Sequence, residues 1–142
     1  MRYIKETLTV RKGLYRICLV FMLCALTSST PVNNGNVIST INGYIAKGDA
    51  NALSSYFSNT TEMNILGEVG FYSKNQAVSV LTDFFKAHSP KSYTIHESGS
   101  TTENSQYSIG VYVSGQASYK IYYVVKNEGA TYKINKFIIE QS

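Results

Sequence analysis

The residues of this chain that could transfer protons or bind a ligand are two histidines, a few acidic side chains and a large set of tyrosines. The 142-residue sequence contains twelve tyrosines and no tryptophan. Carboxylates and imidazoles act as acids and bases in enclosed sites, whereas tyrosine hydroxyls orient small ligands on apolar walls. The candidate acids and bases are Glu62, Asp83, His88, His96 and Glu97.

These acids and bases do not form a recognisable catalytic or metal-binding pattern. Asp83 lies on the polar side of a predicted helix, where we expect a solvated surface acid. His88 stands in the last turn of that helix, where an imidazolium favours the helix C-terminus. His96 has the outward register of a predicted strand, and two histidines eight residues apart on different elements lack metal-ligand spacing. We therefore predict no catalytic residue, no metal and no cofactor.

Five tyrosines fall at strand positions that are predicted to face inward. They are Tyr93, Tyr107, Tyr119, Tyr123 and Tyr132. One interpretation is that they only fill the core. The alternative is that some of them line a pocket at its mouth and bind a small ligand through their hydroxyls.

Tyr112 and Tyr122 have the opposite, outward register on neighbouring predicted strands, and Val124 lies close to them in sequence. Polar residues would be expected at such positions. An apolar patch on an outward sheet face is typical of a partner surface. We therefore predict an interface at these three residues, with a homodimer through the outer sheet face as the candidate assembly.

The element that must position these residues is a helix from Ser73 to His88. Ser73 and Gln76 have the spacing of a capping box, and Ser89-Pro90 ends the helix. Its predicted apolar face consists of Ala77, Leu81, Phe84, Phe85 and His88. Two shorter helices and a strand pair precede it.

After the helix, the apolar period changes from 3.6 to 2, which predicts four further strands joined by short turns. A β-bulge near Asn135 and Lys136 is needed to return Phe137 and Ile139 to the inner face. Strands joined by tight turns are antiparallel, and helices on one face of such a sheet give the α+β class. We predict a strongly curved sheet wrapped over the long helix, forming a cone with a mouth.

The N-terminal region has the order of a secretory signal peptide: basic, apolar, then small and polar. We predict a signal peptide over residues 1–28, a tether over 29–35 and one domain over 36–142, with a periplasmic or extracellular location. The apolar run Ile17 to Leu26 is about half the roughly 20 residues that a membrane-spanning helix needs. No membrane span is therefore expected after cleavage.

The loss of this leader changes the charge and the cysteine content of the chain. The formal charge of +4 comes from thirteen Lys and Arg residues against nine Asp and Glu residues. Five of the basic residues and Glu6 precede Thr27, so eight residues of each sign remain and the mature domain has no net charge. Basicity thus gives no reason to expect a nucleic-acid partner. Both cysteines, Cys18 and Cys24, also leave with the leader.

Several short motifs between Asn36 and Glu140 resemble one family. They are Gly48-Asp49-Ala50 between two helices, Ile65-Leu66-Gly67, Gly70-Phe71-Tyr72-Ser73-Lys74 followed by Asp83-Phe84-Phe85, and Tyr132-Lys133-Ile134 with Phe137 and Ile139-Glu140. The family is domain of unknown function 4783 (DUF4783), small exported Bacteroidetes proteins placed in the nuclear transport factor 2-like, cystatin-like superfamily. The resemblance implies the cone-shaped fold. That superfamily includes isomerases, dehydratases, polyketide cyclases and non-catalytic binding domains.

Two functions remain open at this point. The first is an exported, non-catalytic binding or interaction domain, which holds a small ligand in the cone or binds a protein. The second is a small isomerase- or hydrolase-like enzyme that uses an interior tyrosine–carboxylate pair, as the resemblance to ketosteroid isomerase-like members implies. A buried carboxylate that faces the interior favours the enzyme, whereas an interior filled by tyrosine and aliphatic side chains favours the binding domain.

Overall fold

The computed structural model describes residues 34–142, with their side chains from residue 37 onward. The predicted signal peptide and residues 29–33 of the predicted tether lie outside the described residues. No helix in the described part of the chain is long and apolar enough to cross a membrane.

The described chain contains three helices and six strands. The helices are α1 Asn34–Lys47, α2 Ala50–Leu53 and α3 Lys74–Ala87, and a 3₁₀ turn, Ser54–Tyr56, follows α2. The strands are β1 Phe57–Ile65, β2 Glu68–Ser73, β3 Ser92–Thr102, β4 Ser105–Ser114, β5 Ala117–Glu128 and β6 Thr131–Gln141. The predicted α+β class is confirmed. The second helix is shorter than its apolar spacing suggests, because Phe57 already begins β1.

All six strands form one sheet in the order β2-β1-β6-β5-β4-β3. Every neighbouring pair is antiparallel except β1 and β6, which run parallel. The sheet is therefore mixed, whereas tight turns alone predicted an antiparallel one. The difference arises because β1 and β6 are far apart in sequence and no short turn fixes their relative direction.

Helix α3 has the predicted cap and four of the five residues of the predicted buried face, whereas His88 is half-buried and caps the helix C-terminus. The Ser73 hydroxyl accepts a hydrogen bond from the Gln76 amide at 3.4 Å, and the Gln76 side chain accepts one from the Ser73 amide at 2.9 Å. This reciprocal pair satisfies backbone donors that the first turn leaves free. The buried side chains of α3 are Ala77, Leu81, Phe84 and Phe85.

The register of β5 and β6 also agrees with the sequence pattern. Tyr119, Ile121, Tyr123, Val125, Ile134, Phe137 and Ile139 are buried. Val124 pairs with Lys136 and Val125 pairs with Ile134, so that Asn135 has no partner across the ladder. This extra residue is the predicted bulge, and it keeps both Ile134 and Phe137 on the inner face.

The predicted register of β4 is wrong. Ser108, Gly110 and Tyr112 face inward and are buried, whereas Tyr107, Ile109, Val111 and Val113 are only half-buried. Two packing contacts explain the inversion. The Tyr93 ring of β3 occupies the space above Gly110, and the Tyr112 ring packs between Phe84 and Phe85, with ring centroids 5.8 Å from each. The inward-facing residues of β4 are therefore the ones that pack against α3 and β3, although the outward-facing residues of the strand are more apolar.

Candidate functional site

The inner face of the sheet carries a buried polar cluster centred on Asn42 of α1, whose side chain is 4% exposed. Its Oδ1 accepts hydrogen bonds from the hydroxyls of Tyr123 at 3.0 Å, Tyr93 at 3.2 Å and Ser108 at 3.4 Å. The Tyr123 hydroxyl also lies 3.2 Å from the carbonyl oxygen of Ile38. Three strands and one helix thus meet at a single amide oxygen.

The tyrosines of this cluster remain protonated at neutral pH. Burial raises the pKa of Tyr93 to about 12, and it raises the pKa of Tyr123 further in the same direction. Both hydroxyls are therefore fixed donors rather than bases. The cluster can hold an oxygen acceptor, and the acceptor that it holds is the Asn42 side chain.

A second aromatic cluster lies at the C-terminal end of α3. His88 caps the helix, and its amide donates to the carbonyl oxygen of Phe84 at 2.8 Å. The His88 Nδ1 is 2.9 Å from the Tyr119 hydroxyl, and the Tyr112 hydroxyl donates to the His88 carbonyl oxygen. Phe84 meets Tyr119 edge to face at 5.3 Å. These contacts attach the end of the helix to the sheet, which is a structural role.

Buried acids are absent from the described side chains. The buried polar residues among them are Asn42, Ser58, Thr61 and Ser108. Asp83 and Glu97 are exposed, and Glu62 forms an ion pair with Lys136 at 3.1 Å. No cluster of three metal-ligating side chains occurs within residues 37–142. The described interior therefore lacks the carboxylate half of a tyrosine–carboxylate pair.

The opposite sheet face, here called the outer face, has apolar residues at its centre. One row across it passes, from β2 to β3, through Val69, Asn64, Ile138, Tyr122, Ile109 and Glu97. The next row passes through Phe71, Glu62, Lys136, Val124, Tyr107 and Gly99. The rings of Tyr107 and Tyr122 lie 6.3 Å apart, so that the centre of this face is a continuous apolar surface.

Charged residues border that surface. Lys120 pairs with Glu140 at 3.1 Å, as Lys136 does with Glu62. The Tyr107 hydroxyl donates to the Glu97 carboxylate, and this hydrogen bond raises the pKa of Tyr107 above its ordinary value. Charges of both signs at the border and apolar residues at the centre are the usual anatomy of a protein interface.

The structure separates the tyrosines that the sequence grouped together. Tyr93, Tyr119 and Tyr123 face inward as predicted, and Tyr132 packs at the margin of the core. Tyr107, which was expected inside, lies on the outer face. Tyr112, which was expected at an interface, is 0% exposed and belongs to the core. Tyr122 and Val124 remain on the outer face.

Sequence reasoning missed the other members of both sites. Asn42 comes four residues after Ile38 and three before Ile45, and this helical spacing is the signal that would have assigned it to the buried side of α1. Val69 and Phe71 alternate with polar residues and glycine on β2, which indicated a shared face. Ile109 and Val111 share the outer-facing register of Tyr107, which was expected inside.

Comparisons with known proteins agree on the fold. A DUF4783 family protein from Bacteroides uniformis superposes with a TM-score of 0.70 at 17% identity, covering 73% of this chain and 95% of that one. An NTF-2 like protein of unknown function from Silicibacter pomeroyi gives a TM-score of 0.56 at 13% identity, covering 76% and 92% of the two chains. A domain of unknown function with a cystatin-like fold from Nostoc punctiforme gives 0.61 at 10% identity, with 80% of each chain covered. At these identities the likeness shows the fold alone.

No curated protein matches the sequence. The family model of the domain of unknown function DUF4783 matches residues 38–140, from the second turn of α1 to the penultimate residue of β6. The nuclear transport factor 2-like, cystatin-like fold that the motifs implied is confirmed by the solved structures. This chain therefore belongs to the DUF4783 family.

Proposed function

We propose that this protein is an exported, non-catalytic interaction domain that binds a second copy of itself through the outer face. The observation that carries the proposal is the apolar row in which Ile138, Tyr122 and Ile109 lie side by side on three neighbouring strands. The face of an antiparallel sheet that points to solvent normally carries polar residues at such positions. All three side chains are half-buried within the single chain, and apolar patches that remain on a protein surface mark binding sites.

The interior gives less support to an enzyme or to a small-ligand carrier. The hydroxyls of Tyr93, Tyr123 and Ser108 are already engaged by Asn42, so that a ligand would have to displace a buried amide. The described carboxylates all lie at or near the surface. A tyrosine–carboxylate enzyme needs one of them inside.

A second copy is the partner that the charges favour. The mature domain has no net charge, so that identical copies do not repel each other at long range. Each copy also presents Lys120 and Glu140, and Lys136 and Glu62, on one face. A surface that carries both signs in adjacent positions can be complementary to itself, as a closed two-fold interface requires.

Sedimentation of the protein at tens of micromolar tests this proposal. We expect a dimer, and we expect Tyr122→Glu to convert it to a monomer because a buried unpaired charge is costly. Ser79→Glu adds the same charge at an exposed position of α3 and serves as the matched control. A monomeric parent protein, or a Tyr122→Glu variant that still dimerises, contradicts the proposal.

Export is tested separately by N-terminal sequencing of the protein recovered from an exporting cell. We expect a first residue close to residue 29, because the signal-peptide pattern ends there. A soluble product that begins at Met1 contradicts export. The outcome does not affect the dimer experiment.

A further inference from the structure

We propose that, in this dimer, the β1–β2 hairpin of each copy packs into a groove at the opposite edge of the second copy's outer face. The inference rests on the proposed function, since it specifies which parts of that face meet. The exposed side chains of the hairpin, here called the apolar hairpin, are those of Leu66, Val69 and Phe71. The groove, here called the edge groove, is lined by His96, Glu97, Ile109, Val111, Lys120 and Ser142.

The apolar hairpin is the most exposed hydrophobic part of the described chain. Phe71 is 77% exposed, Val69 69% and Leu66 45%, and Ile95 is the one other exposed large hydrophobic residue in the described chain. Val69 and Phe71 are opposite Asn64 and Glu62 in the ladder, which places them on the outer face with Ile138 and Val124. The exposed residues therefore form a second apolar group at the β2 edge, and Asn64 and the Glu62–Lys136 ion pair separate it from the central apolar surface.

Leu66 adds an independent sign that this hairpin has a binding role. It adopts a φ of 55°, in the left-handed region, and Gly67 follows it with a φ of 95°. Two-residue hairpin turns of this type prefer asparagine, aspartate or glycine, and a bulky residue there is strained. Strained backbone positions cluster at functional sites. An exposed leucine at a position that suits asparagine better is explained if its side chain is buried by a partner.

The edge groove lies at the other end of the same face, between β3 and β5. It has a volume of about 310 Å³, and Ile109 and Val111 are its apolar residues. A register shift in β3 helps to form it. Ile95 pairs with Gly110 and Glu97 pairs with Ile109, so that His96 is an extra residue that bends the strand. Aliphatic side chains such as those of Val69 and Leu66 suit such a groove.

The order of the strands brings these two features together in a symmetric pair. Three strands lie on each side of the boundary between β6 and β5. A two-fold axis along that boundary places each β2 over the second copy's β3 and each β1 over its β4. Val69 then lies near Ile109 and Glu97 of the other molecule. Sheets that pack face to face keep their strand directions within about 30° of each other, as this axis does.

Charge complementarity favours the same axis. Lys120 of β5 and Glu140 of β6 are direct neighbours across the β5–β6 boundary. Rotation about that boundary places each Lys120 opposite the Glu140 of the second copy. A two-fold axis perpendicular to the strands would instead bring hairpin to hairpin and leave the edge groove empty.

Disulfide trapping between two differently tagged chains tests this arrangement. Cys18→Ala and Cys24→Ala remove the two native thiols, and the chains carry Val69→Cys or Ile109→Cys. Under mild oxidation, we expect a mixed crosslink that joins position 69 of one chain to position 109 of the other. Ser79→Cys paired with Ile109→Cys is the control, and it should remain uncrosslinked because residue 79 lies on α3. The absence of the mixed crosslink in a protein that is dimeric overturns the inference.

Two further readouts separate the inference from the proposed function. If Tyr122→Cys chains crosslink to each other and Val69→Cys chains do the same, then the outer face dimerises about another axis, and only the inference is wrong. If the protein sediments as a monomer, both are wrong.

Leu66→Asn should weaken the dimer about tenfold while raising the denaturation midpoint of the monomer, because asparagine tolerates the turn. Unchanged dimer affinity in this variant contradicts the inference.

Discussion

The ring of Tyr93 lies directly over Gly110, and a Cβ atom at position 110 would stand 2.5 Å from the ring carbons. The ring is not free to move away, because its hydroxyl donates to Asn42. This contact between β3 and β4 fixes the side of the sheet on which the residues of β4 lie.

Gly110→Ala should therefore destabilise the domain by about 1–3 kcal/mol, the usual range for overpacking. Denaturant unfolding gives the free energy. Gly43→Ala is the opposite case, because nothing lies within 4 Å of its added Cβ and the residue is inside α1. It should stabilise the protein by up to about 1 kcal/mol. Equal effects of the two changes would show that the Tyr93 contact is unimportant.

Asn42→Ala should cost about 2–4 kcal/mol of unfolding free energy, because three hydroxyls lose their shared acceptor in a buried site. Tyr123→Phe removes one of these donors and keeps the ring. The double variant should be less destabilised than the sum of the single changes, since both act on the same hydrogen bond. If the losses of the two single variants add up in the double variant, Asn42 and Tyr123 stabilise the fold independently, and the prediction is wrong.

Truncation of Phe84 or Phe85 to alanine should cost about 3–5 kcal/mol, because both rings are buried on α3 and pack against Tyr112. Asp83→Ala, at the exposed neighbouring position, should change the stability by less than about 0.5 kcal/mol. Denaturant melts of the three variants provide the test. A loss below about 1 kcal/mol for both phenylalanines would mean that the helix is oriented differently.

Stability should fall steeply at alkaline pH. The folded-state pKa of Tyr93 is about 12, above the ordinary value of about 10 in the unfolded chain. The fold favours the protonated hydroxyl. Its contribution to the free energy of unfolding is therefore complete below about pH 10 and is lost as the pH rises towards 12. Unfolding free energies measured between pH 8 and pH 12 check this, with Tyr93→Phe as the comparison. The variant should show a smaller decline; an identical pH profile would contradict the assignment.

Local patterns were sufficient to predict α3, its capping box and the bulge at Asn135, because each depends on residues close in sequence. The register of β4 could not be read in this way. Tyr107, Ile109, Val111 and Val113 outnumber the apolar residues of the alternate set, and counting them selected the wrong face. What decides the register is a contact with another strand, the fit of Tyr93 over Gly110.

The same limitation affected the candidate sites. Asn42 joins residues of three strands, and the outer face joins residues of all six, so neither is visible in any single segment. Tyr122 and Val124 were correctly assigned to the outer face, because buried positions alternate with less buried ones along β5. Tyr112 was misplaced along with the rest of β4.

The parallel pairing of β1 with β6 has a consequence for how the domain folds. β6 is the last of the six described strands in sequence, yet it lies between β1 and β5 and joins the two parts of the sheet. Phe57 cannot pair with Ile134 until a long loop has closed, and such non-local contacts slow folding. Until then, the β1–β2 hairpin has no sheet to join. A newly made chain must therefore complete β6 before the core around Phe57 and Met63 can form.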